Sequence, residues 1–347
     1  MTNWKSLLQL AMVNAIVLAV LLLVVLGAAE AYLRFSIPSS SGGSIFESTL
    51  ATKRYKVMKR NYRIIAYGSE FRTNDLGFRD NRRTIPPKAP GAYRIIVLGD
   101  SFTAAMGTDF ERIYTSLLQD QLRKTSPDVE VLNLAVGGYN PIQEELVLKE
   151  VGFSLQPDLV VAAMFPANDL FNDTYKANYD EAMGRVVPVS RPWYANLYIY
   201  QAFLRRVEIR IRGMLAKPAV QPAVSDGSAE REAEENLTAL ERTVDAATNA
   251  GLGVVVVLLP NTEQFDAQRS QFAPFVERCE AHHWDCLNLL DSFIASGEKP
   301  SALRLNVLDH HLNERYNALA AFAIAAHLKP LVDVHVSAAV SGGAWVR

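Results

Sequence analysis

The sequence is poor in cysteine and has no excess of either sign of charge. Its 347 residues include 2 cysteines, 35 lysines and arginines, and 37 aspartates and glutamates. Two cysteines cannot hold together a small disulfide-rich scaffold, and a nearly neutral chain lacks the basic excess of a general nucleic-acid binder. Because 49% of the residues are hydrophobic, the chain also does not resemble a disordered protein. The composition predicts a folded protein of one large domain or two small ones.

One long apolar segment lies near the N-terminus. Residues 7–29 contain no charged side chain, and a helix of that length rises about 34 Å, enough to cross a hydrocarbon core of about 30 Å. Because the run is longer than the apolar region of a usual signal peptide, we expect an uncleaved transmembrane anchor, with a cleaved signal peptide as the alternative. Lys5 in the short tail predicts that the N-terminus stays cytoplasmic. The rest of the chain would then face the periplasm or the cell exterior, as a single-pass protein of the inner membrane in a bacterial host.

The remaining chain shows the alternation of strands and helices that is typical of a parallel sheet covered on both faces. Five apolar strands are predicted, at residues 93–98, 129–136, 159–165, 252–259 and 285–290. The predicted division of the chain is a tail at 1–6, an anchor at 7–33, a linker and extended lead-in at 34–90, a domain at 91–335 and a C-terminal tail at 336–347.

An insertion at residues 170–228 interrupts this alternation. Within it, apolar residues from Leu197 to Met214 recur every three or four positions, with arginines between them. This pattern predicts a basic amphipathic helix. The helix could pack on the domain, cover a site or rest on anionic lipid.

Chemically active side chains follow the predicted strands. Ser101 stands in a tight Gly-Asp-Ser turn after the first strand, a position that suits a nucleophile. Gly138 and Asn168 follow the next two strands, where a backbone N–H and a side-chain amide could donate to a substrate oxygen. Asp309 and His311 precede the last predicted helix and would supply an acidic orienting group and a base. Together these groups predict acyl-transfer chemistry at the carboxyl edge of the sheet.

These blocks resemble those of the SGNH/GDSL hydrolase superfamily, whose four letters stand for serine, glycine, asparagine and histidine. They match Ser101, Gly138, Asn168 and His311 in the expected order. The resemblance covers about residues 71–328 and includes the segment TNDLGFR at 73–79, which precedes the serine block in a membrane-anchored bacterial branch. It implies a three-layer α/β/α sandwich of about five parallel strands, here preceded by one transmembrane helix, and it implies no metal or organic cofactor.

The resemblance also implies a role for each residue. Ser101 is expected to be the nucleophile, His311 the general base and Asp309 the group that orients it. The backbone N–H groups of Ser101 and Gly138, with the Asn168 side chain, are expected to form the oxyanion hole. His310 is the alternative base, but the Leu-Asn pair that follows His311 fits the family pattern.

The expected function is that of a serine esterase acting on an acyl ester, such as an O-acetyl ester, of a glycan or lipid. One alternative is an O-acyltransferase that uses the same site on an extracytoplasmic polysaccharide. The other alternative is a glycan-binding protein without catalysis. Protein partners are not predicted.

The two cysteines leave three interpretations open. Cys279 and Cys286 flank His282 and His283. They could form a disulfide in an oxidising compartment, remain as buried thiols, or bind a metal with the histidines. Zinc sites more often use two separated pairs of ligands than one short cluster.

Overall fold

The computed structural model describes residues 4–36, 44–48, 56–170, 179–180, 185–186, 194, 197–200, 207 and 228–342. They belong to two compact units. The first contains Met1–Ser39 and Ser190–Pro222, and the second contains Ser40–Val189 and Ala223–Arg347. Most of the predicted insertion, with nearly all of its basic helix, lies outside the described residues.

The first unit is dominated by one helix, α1 (Trp4–Ser36). Its segment Leu7–Ser36 has a mean hydropathy of 2.9 and none of its side chains is buried, so it is a candidate membrane span. Near the end of α1, Glu30 accepts hydrogen bonds from the backbone N–H groups of Tyr198, at 3.1 Å, and Ile199, at 2.8 Å. Arg34 donates to the same carboxylate at 2.7 Å.

The second unit contains the predicted five-stranded parallel sheet, in the order β11-β10-β7-β5-β6. All neighbouring strands in it run parallel. The strands are β5 (Tyr93–Gly99), β6 (Val129–Asn133), β7 (Leu159–Met164), β10 (Gly253–Leu258) and β11 (Cys286–Asn288). The fold class predicted from the sequence is therefore confirmed.

Helices cover both faces of this sheet. Alternate side chains of β5 point in opposite directions, since Ile95 and Val97 lie in one core cluster while Ile96 and Leu98 lie in the other. The helices are α2 (Ser101–Ala104), α3 (Tyr114–Arg123), α4 (Pro141–Glu150), α5 (Ser228–Asn249), α6 (Arg269–His282), α7 (Leu289–Ala295) and α8 (Glu314–Gly342). Helices α3 and α8 pack together, and α4 packs on α5.

Helix α8 is the last predicted helix, and it begins at Glu314. Its part Glu314–Val334 is also long and apolar enough to count as a candidate membrane span, with a mean hydropathy of 1.2. However, α8 packs against α3 and buries Tyr316, Ile324 and Leu328 in the core. These contacts indicate a core helix of the domain.

The lead-in has more structure than the extended segment that the sequence predicts. It forms two antiparallel pairs, β1 (Phe46–Ser48) with β2 (Lys56–Met58), and β3 (Arg63–Ala66) with β4 (Ser69–Arg72). A further antiparallel pair, β8 (Tyr179–Asp180) with β9 (Arg185–Val186), lies within the insertion. Short pairs of this kind leave little periodicity in the sequence, which is why the strands of the lead-in were not predicted.

Cys279 of α6 and Cys286 of β11 form a disulfide with a Cα–Cα distance of 6.2 Å. Of the three interpretations that the sequence leaves open for these cysteines, the structure contains the disulfide.

Candidate active site

Ser101 is positioned by the turn that joins β5 to α2. Asp100 caps this short helix, because its carboxylate accepts the Phe102 backbone N–H at 2.8 Å. A Cβ atom on Gly99 would lie only 2.4 Å from the Thr103 hydroxyl oxygen, so the chain can turn this tightly only with glycine there. The turn directs the Ser101 side chain towards the carboxyl edge of the sheet.

His311 and Asp309 meet Ser101 from the loop before α8. The Ser101 Oγ lies 2.8 Å from His311 Nε2. The other ring nitrogen, Nδ1, lies 2.5 Å from Asp309 Oδ1, which also accepts the His311 backbone N–H at 2.9 Å. The Asn306 side chain accepts the backbone N–H groups of Leu308, at 2.8 Å, and Asp309, at 3.0 Å, and so fixes the loop.

His310 points away from Ser101. Its Nδ1 lies 3.6 Å from a Glu263 carboxylate oxygen, and its Nε2 lies 3.5 Å from Arg304 Nη1. Of the two adjacent histidines, the structure brings His311 to the serine, as the sequence analysis predicts.

The charges of His311 and Asp309 stabilise each other. Burial raises the pKa of Asp309, but the hydrogen bond and the charge of His311 outweigh it and hold that pKa well below its usual value. Tyr67 also donates a hydrogen bond to Asp309. Burial lowers the pKa of His311, but the hydrogen bond and charge of Asp309, with the charge of Asp100, raise it above 6.5. An ionised aspartate beside a histidine that readily takes up a proton is the arrangement that a Ser-His-Asp triad needs.

The predicted oxyanion groups lie close to Ser101. Gly138 has a φ of 78°, in the left-handed region that glycine adopts without strain. A Cβ atom on its neighbour Gly137 would be 3.5 Å from Ser101 Cβ, so the two backbones are in close contact. The Asn168 amide nitrogen lies 3.4 Å from Asp100 Oδ2, which is itself 3.5 Å from Ser101 Oγ.

Beneath the serine lies a cluster of three buried carboxyl groups. Asp100, Glu144 and Asp169 are each at most 2% exposed. Burial, followed by the charge of Asp100, raises the pKa of Glu144 well above its usual value. The pKa of Asp169 is raised in the same way by burial, Asp100 and Glu144. The sequence does not reveal this cluster, since Glu144 lies among other polar residues of α4 and a glutamate is ordinarily solvated.

A cavity of about 300 Å³ opens beside Ser101 and His311. Ser101, Gly137, Gly138, Asp309 and His311 form its reactive end, whereas Asn168 is not among its lining residues. The rest of its wall is apolar or aromatic and consists of Phe46, Met58, Tyr67, Phe71, Ala104 and Met106. None of these six was predicted, and the only signal near them in the sequence is the TNDLGFR segment.

Within the described part of the chain, no group of three or more histidines, cysteines, aspartates or glutamates is arranged to hold a metal ion. Cys279 and Cys286 are joined to each other, so the Cys-His cluster is not a metal site here.

Comparison with known proteins gives one family. The sequence profile of the GDSL-like lipase/acylhydrolase family matches residues 97–334. No curated protein sequence matches the chain.

Solved structures with a similar fold are distant in sequence. A catalytic mutant of Axe2, an acetylxylan esterase from Geobacillus stearothermophilus, is 14% identical, with 70% of this chain and 96% of that chain covered and a TM-score of 0.43. A lipase from a goat rumen metagenome is 13% identical, with 68% and 97% covered and a TM-score of 0.44. A two-domain esterase active on acetylated mannans is 13% identical, with a TM-score of 0.39; 70% of this chain is covered, and this chain spans only 50% of that one.

Proposed function

The chain belongs to the GDSL-like lipase/acylhydrolase family and is therefore an ester-hydrolysing enzyme, and from this premise we propose that it is a membrane-anchored serine esterase with Ser101 as its nucleophile. The single observation that carries the proposal is the hydrogen-bonded chain from Ser101 Oγ through His311 to Asp309, with distances of 2.8 and 2.5 Å. The 2.8 Å distance is within the range in which a nucleophile passes its proton to a base, and the 2.5 Å contact is the hydrogen bond by which Asp309 orients that base.

In the proposed reaction, Ser101 Oγ attacks the ester carbonyl carbon while His311 Nε2 takes the serine proton. The tetrahedral oxyanion is stabilised by the backbone N–H groups of Ser101 and Gly138 and by the Asn168 amide. His311 then gives its proton to the departing alcohol, which leaves an acyl group on the serine. A water molecule, deprotonated by His311, attacks this acyl-enzyme; the bond to Ser101 Oγ breaks, His311 returns the proton to Oγ, and the free acid leaves. Asp309 holds the imidazole ring in place and stabilises its positive charge.

We propose that α1 anchors this enzyme in the inner membrane, with the second unit in the periplasm or at the cell exterior. The hydropathy of Leu7–Ser36 supports the anchor, and Lys5 supports a cytoplasmic N-terminus. The disulfide between Cys279 and Cys286 supports an oxidising compartment. A substrate at this location would be an acylated glycan or lipid of the cell surface.

The esterase activity can be tested with the full-length protein in detergent micelles. Turnover of p-nitrophenyl butyrate is compared between the wild type, Ser101→Ala and Ser154→Ala, the last being an exposed serine that serves as the control. We expect Ser101→Ala to lower kcat at least about a thousandfold and to abolish covalent labelling by a fluorophosphonate, while Ser154→Ala changes neither. Equal rates in all three proteins would exclude Ser101 as the nucleophile, and no turnover or labelling at all would favour a binding protein.

An acceptor experiment then separates hydrolysis from transfer. The same reaction is run with an oligosaccharide, and its products are analysed by mass spectrometry. Free acid alone supports the esterase, whereas an acylated sugar would make the protein an O-acyltransferase.

The anchor has its own test. The full chain is expressed in a bacterium, and membranes are washed with alkaline carbonate. An integral protein stays in the pellet at its full mass, and external protease removes the second unit from spheroplasts. A protein of reduced mass in the soluble fraction would indicate a cleaved signal peptide.

A further inference from the structure

The cavity beside Ser101 has a polar end and an apolar end. The polar end carries the triad and the two glycines, and the apolar end carries the six side chains named above. Met58 and Phe71 are only 2% and 1% exposed, so they form its floor. Five of the six side chains carry no hydroxyl, amide or charged group, and the Tyr67 hydroxyl already donates to Asp309. The hydroxyl groups of a sugar would therefore be costly to bury there. Such a wall suits a hydrocarbon chain.

Four of these six side chains come from the lead-in. Phe46 lies on β1, Met58 on β2, Tyr67 between β3 and β4, and Phe71 on β4. All four precede residue 97, where the match to the family begins. The side chains of the apolar end therefore lie mainly outside residues 97–334, the part of the chain that matches the family.

The TNDLGFR segment holds this part of the wall in place. Gly77 has a φ of 81°, and a Cβ atom there would lie 2.5 Å from the Met58 carbonyl oxygen. The buried Arg79 guanidinium lies 4.6 Å from the centre of the Phe71 ring, and it donates to the Ala104 carbonyl at 2.7 Å. Arg79 thus ties the lead-in to the end of α2, the short helix that begins at Ser101.

We infer that the lead-in forms the acyl-chain pocket of the enzyme and that this pocket selects a medium-length acyl group over an acetyl group. The inference rests on the proposed function, since it concerns the acyl group that Ser101 would receive. A group of the size of a water molecule occupies about 30 Å³. A cavity of about 300 Å³ therefore holds about ten groups of that size. An acetyl group would leave most of it empty, whereas a chain of about six to eight carbons would fill most of it.

The test is a series of p-nitrophenyl esters that differ only in the acyl group, with acetate, butyrate, hexanoate, octanoate and dodecanoate. Each methylene buried in the pocket is expected to raise kcat/KM up to about fourfold, equivalent to about 0.8 kcal/mol. We therefore expect hexanoate or octanoate to exceed acetate at least about tenfold, and dodecanoate to fall again. A second series of acetate esters with longer alcohols should show no such rise. A rise with the alcohol instead, or a steady fall from acetate onwards, would overturn the inference.

Two variants connect this preference to the cavity. Met106 lines it and is half-buried, so Met106→Trp should fill it and lower the ratio of hexanoate to acetate turnover at least about tenfold. Met106→Ala should shift the optimum towards longer chains. Leu331→Trp, at a site on α8 that is 39% exposed, is the matched control and should leave the series unchanged.

The outcomes of this experiment are distinguishable from failure of the proposed function. Acetate turnover that depends on Ser101, but with the same hexanoate-to-acetate ratio in Met106→Trp as in the wild type, would refute the pocket while leaving the esterase intact. Fluorophosphonate labelling shows that each variant still has a folded, reactive site. No turnover of any ester would refute the proposed function and the inference together.

Discussion

Replacing Asp309 with asparagine is the sharpest test of the proposed triad, because it removes one charge and little else. Asp309 Oδ1 accepts from His311 twice, at ring nitrogen Nδ1 and at the backbone N–H. An asparagine of the same shape can turn its amide NH2 towards Nδ1. The ring would then carry its proton on Nε2 and could no longer accept the proton of Ser101.

The expected loss follows from these contacts. A hydrogen bond to a charged group contributes about 1.5–3 kcal/mol, which corresponds to about a tenfold to 150-fold change in rate. The wrong tautomer can lower kcat about 10,000-fold in a Ser-His-Asp triad. We therefore expect Asp309→Asn to lower kcat by about 100-fold to 10,000-fold with a smaller change in KM.

The pH profile of kcat/KM gives a second readout. It would not change if Asp309 had only a structural role. His311 must be neutral to act as a base, so activity falls as the pH drops through its pKa. In the wild type this pKa is raised above 6.5, chiefly by Asp309 against the effect of burial. In Asp309→Asn the effect of burial remains while the carboxylate is gone, so the acidic limb of kcat/KM should move to lower pH. Asp291→Asn, at an exposed carboxylate on α7, is the control. The reasoning is wrong if Asp309→Asn keeps kcat within about tenfold of the wild type, or if its acidic limb does not move.

Three further changes test other parts of the structure. Cys279→Ser breaks the disulfide with Cys286, and the two cysteines are 7 residues apart in the sequence. The free energy of unfolding should fall by about 2.5 kcal/mol in urea titrations. The same stability as the wild type would contradict a formed disulfide. Gly138→Ala places a Cβ atom 2.7 Å from Lys56 Nζ at a φ of 78°, and kcat should fall about 100-fold if this glycine is an oxyanion donor. Burial raises the pKa of Glu144, so the folded state keeps this proton to a higher pH than the unfolded state, which loses it above about 4.5; Glu144→Gln should therefore be more stable than the wild type at neutral pH, with a gain that shrinks as the pH falls towards about 4.5 and disappears below it.

The sequence predicts the sheet and the reactive residues because each leaves a local signal. Buried parallel strands such as Tyr93–Gly99 read as continuous apolar runs. Ser101 stands out because a strand, a glycine and a polar turn come together there. The preference for His311 over His310 as the base also follows from a short pattern, and His311 is the histidine that lies beside Ser101.

The walls of the cavity leave no comparable signal. Met58 and Phe71 lie on strands of three and four residues, which are too short to show an alternating pattern. Their position depends on the contact of Arg79 with the carbonyl of Ala104, at the end of α2 and 25 residues further along the chain. A long-range contact of this kind is visible only once the chain is folded. The residues proposed to set the substrate preference are therefore harder to predict than those proposed to carry out the reaction.

The buried carboxyl cluster illustrates the same limit in electrostatic terms. Three carboxyl groups that lie together without solvent cannot all be ionised, because like charges in a poorly polarisable interior repel strongly. Glu144 and Asp169 hold their protons, since burial and the charge of Asp100 raise both pKa values. Burial raises the pKa of Asp100 as well, although the Phe102 N–H, the charge of His311 and the Asn168 amide lower it in part. Asp100 lies next to Ser101, and its negative charge, when it is ionised, adds to the effect of Asp309 in raising the pKa of His311.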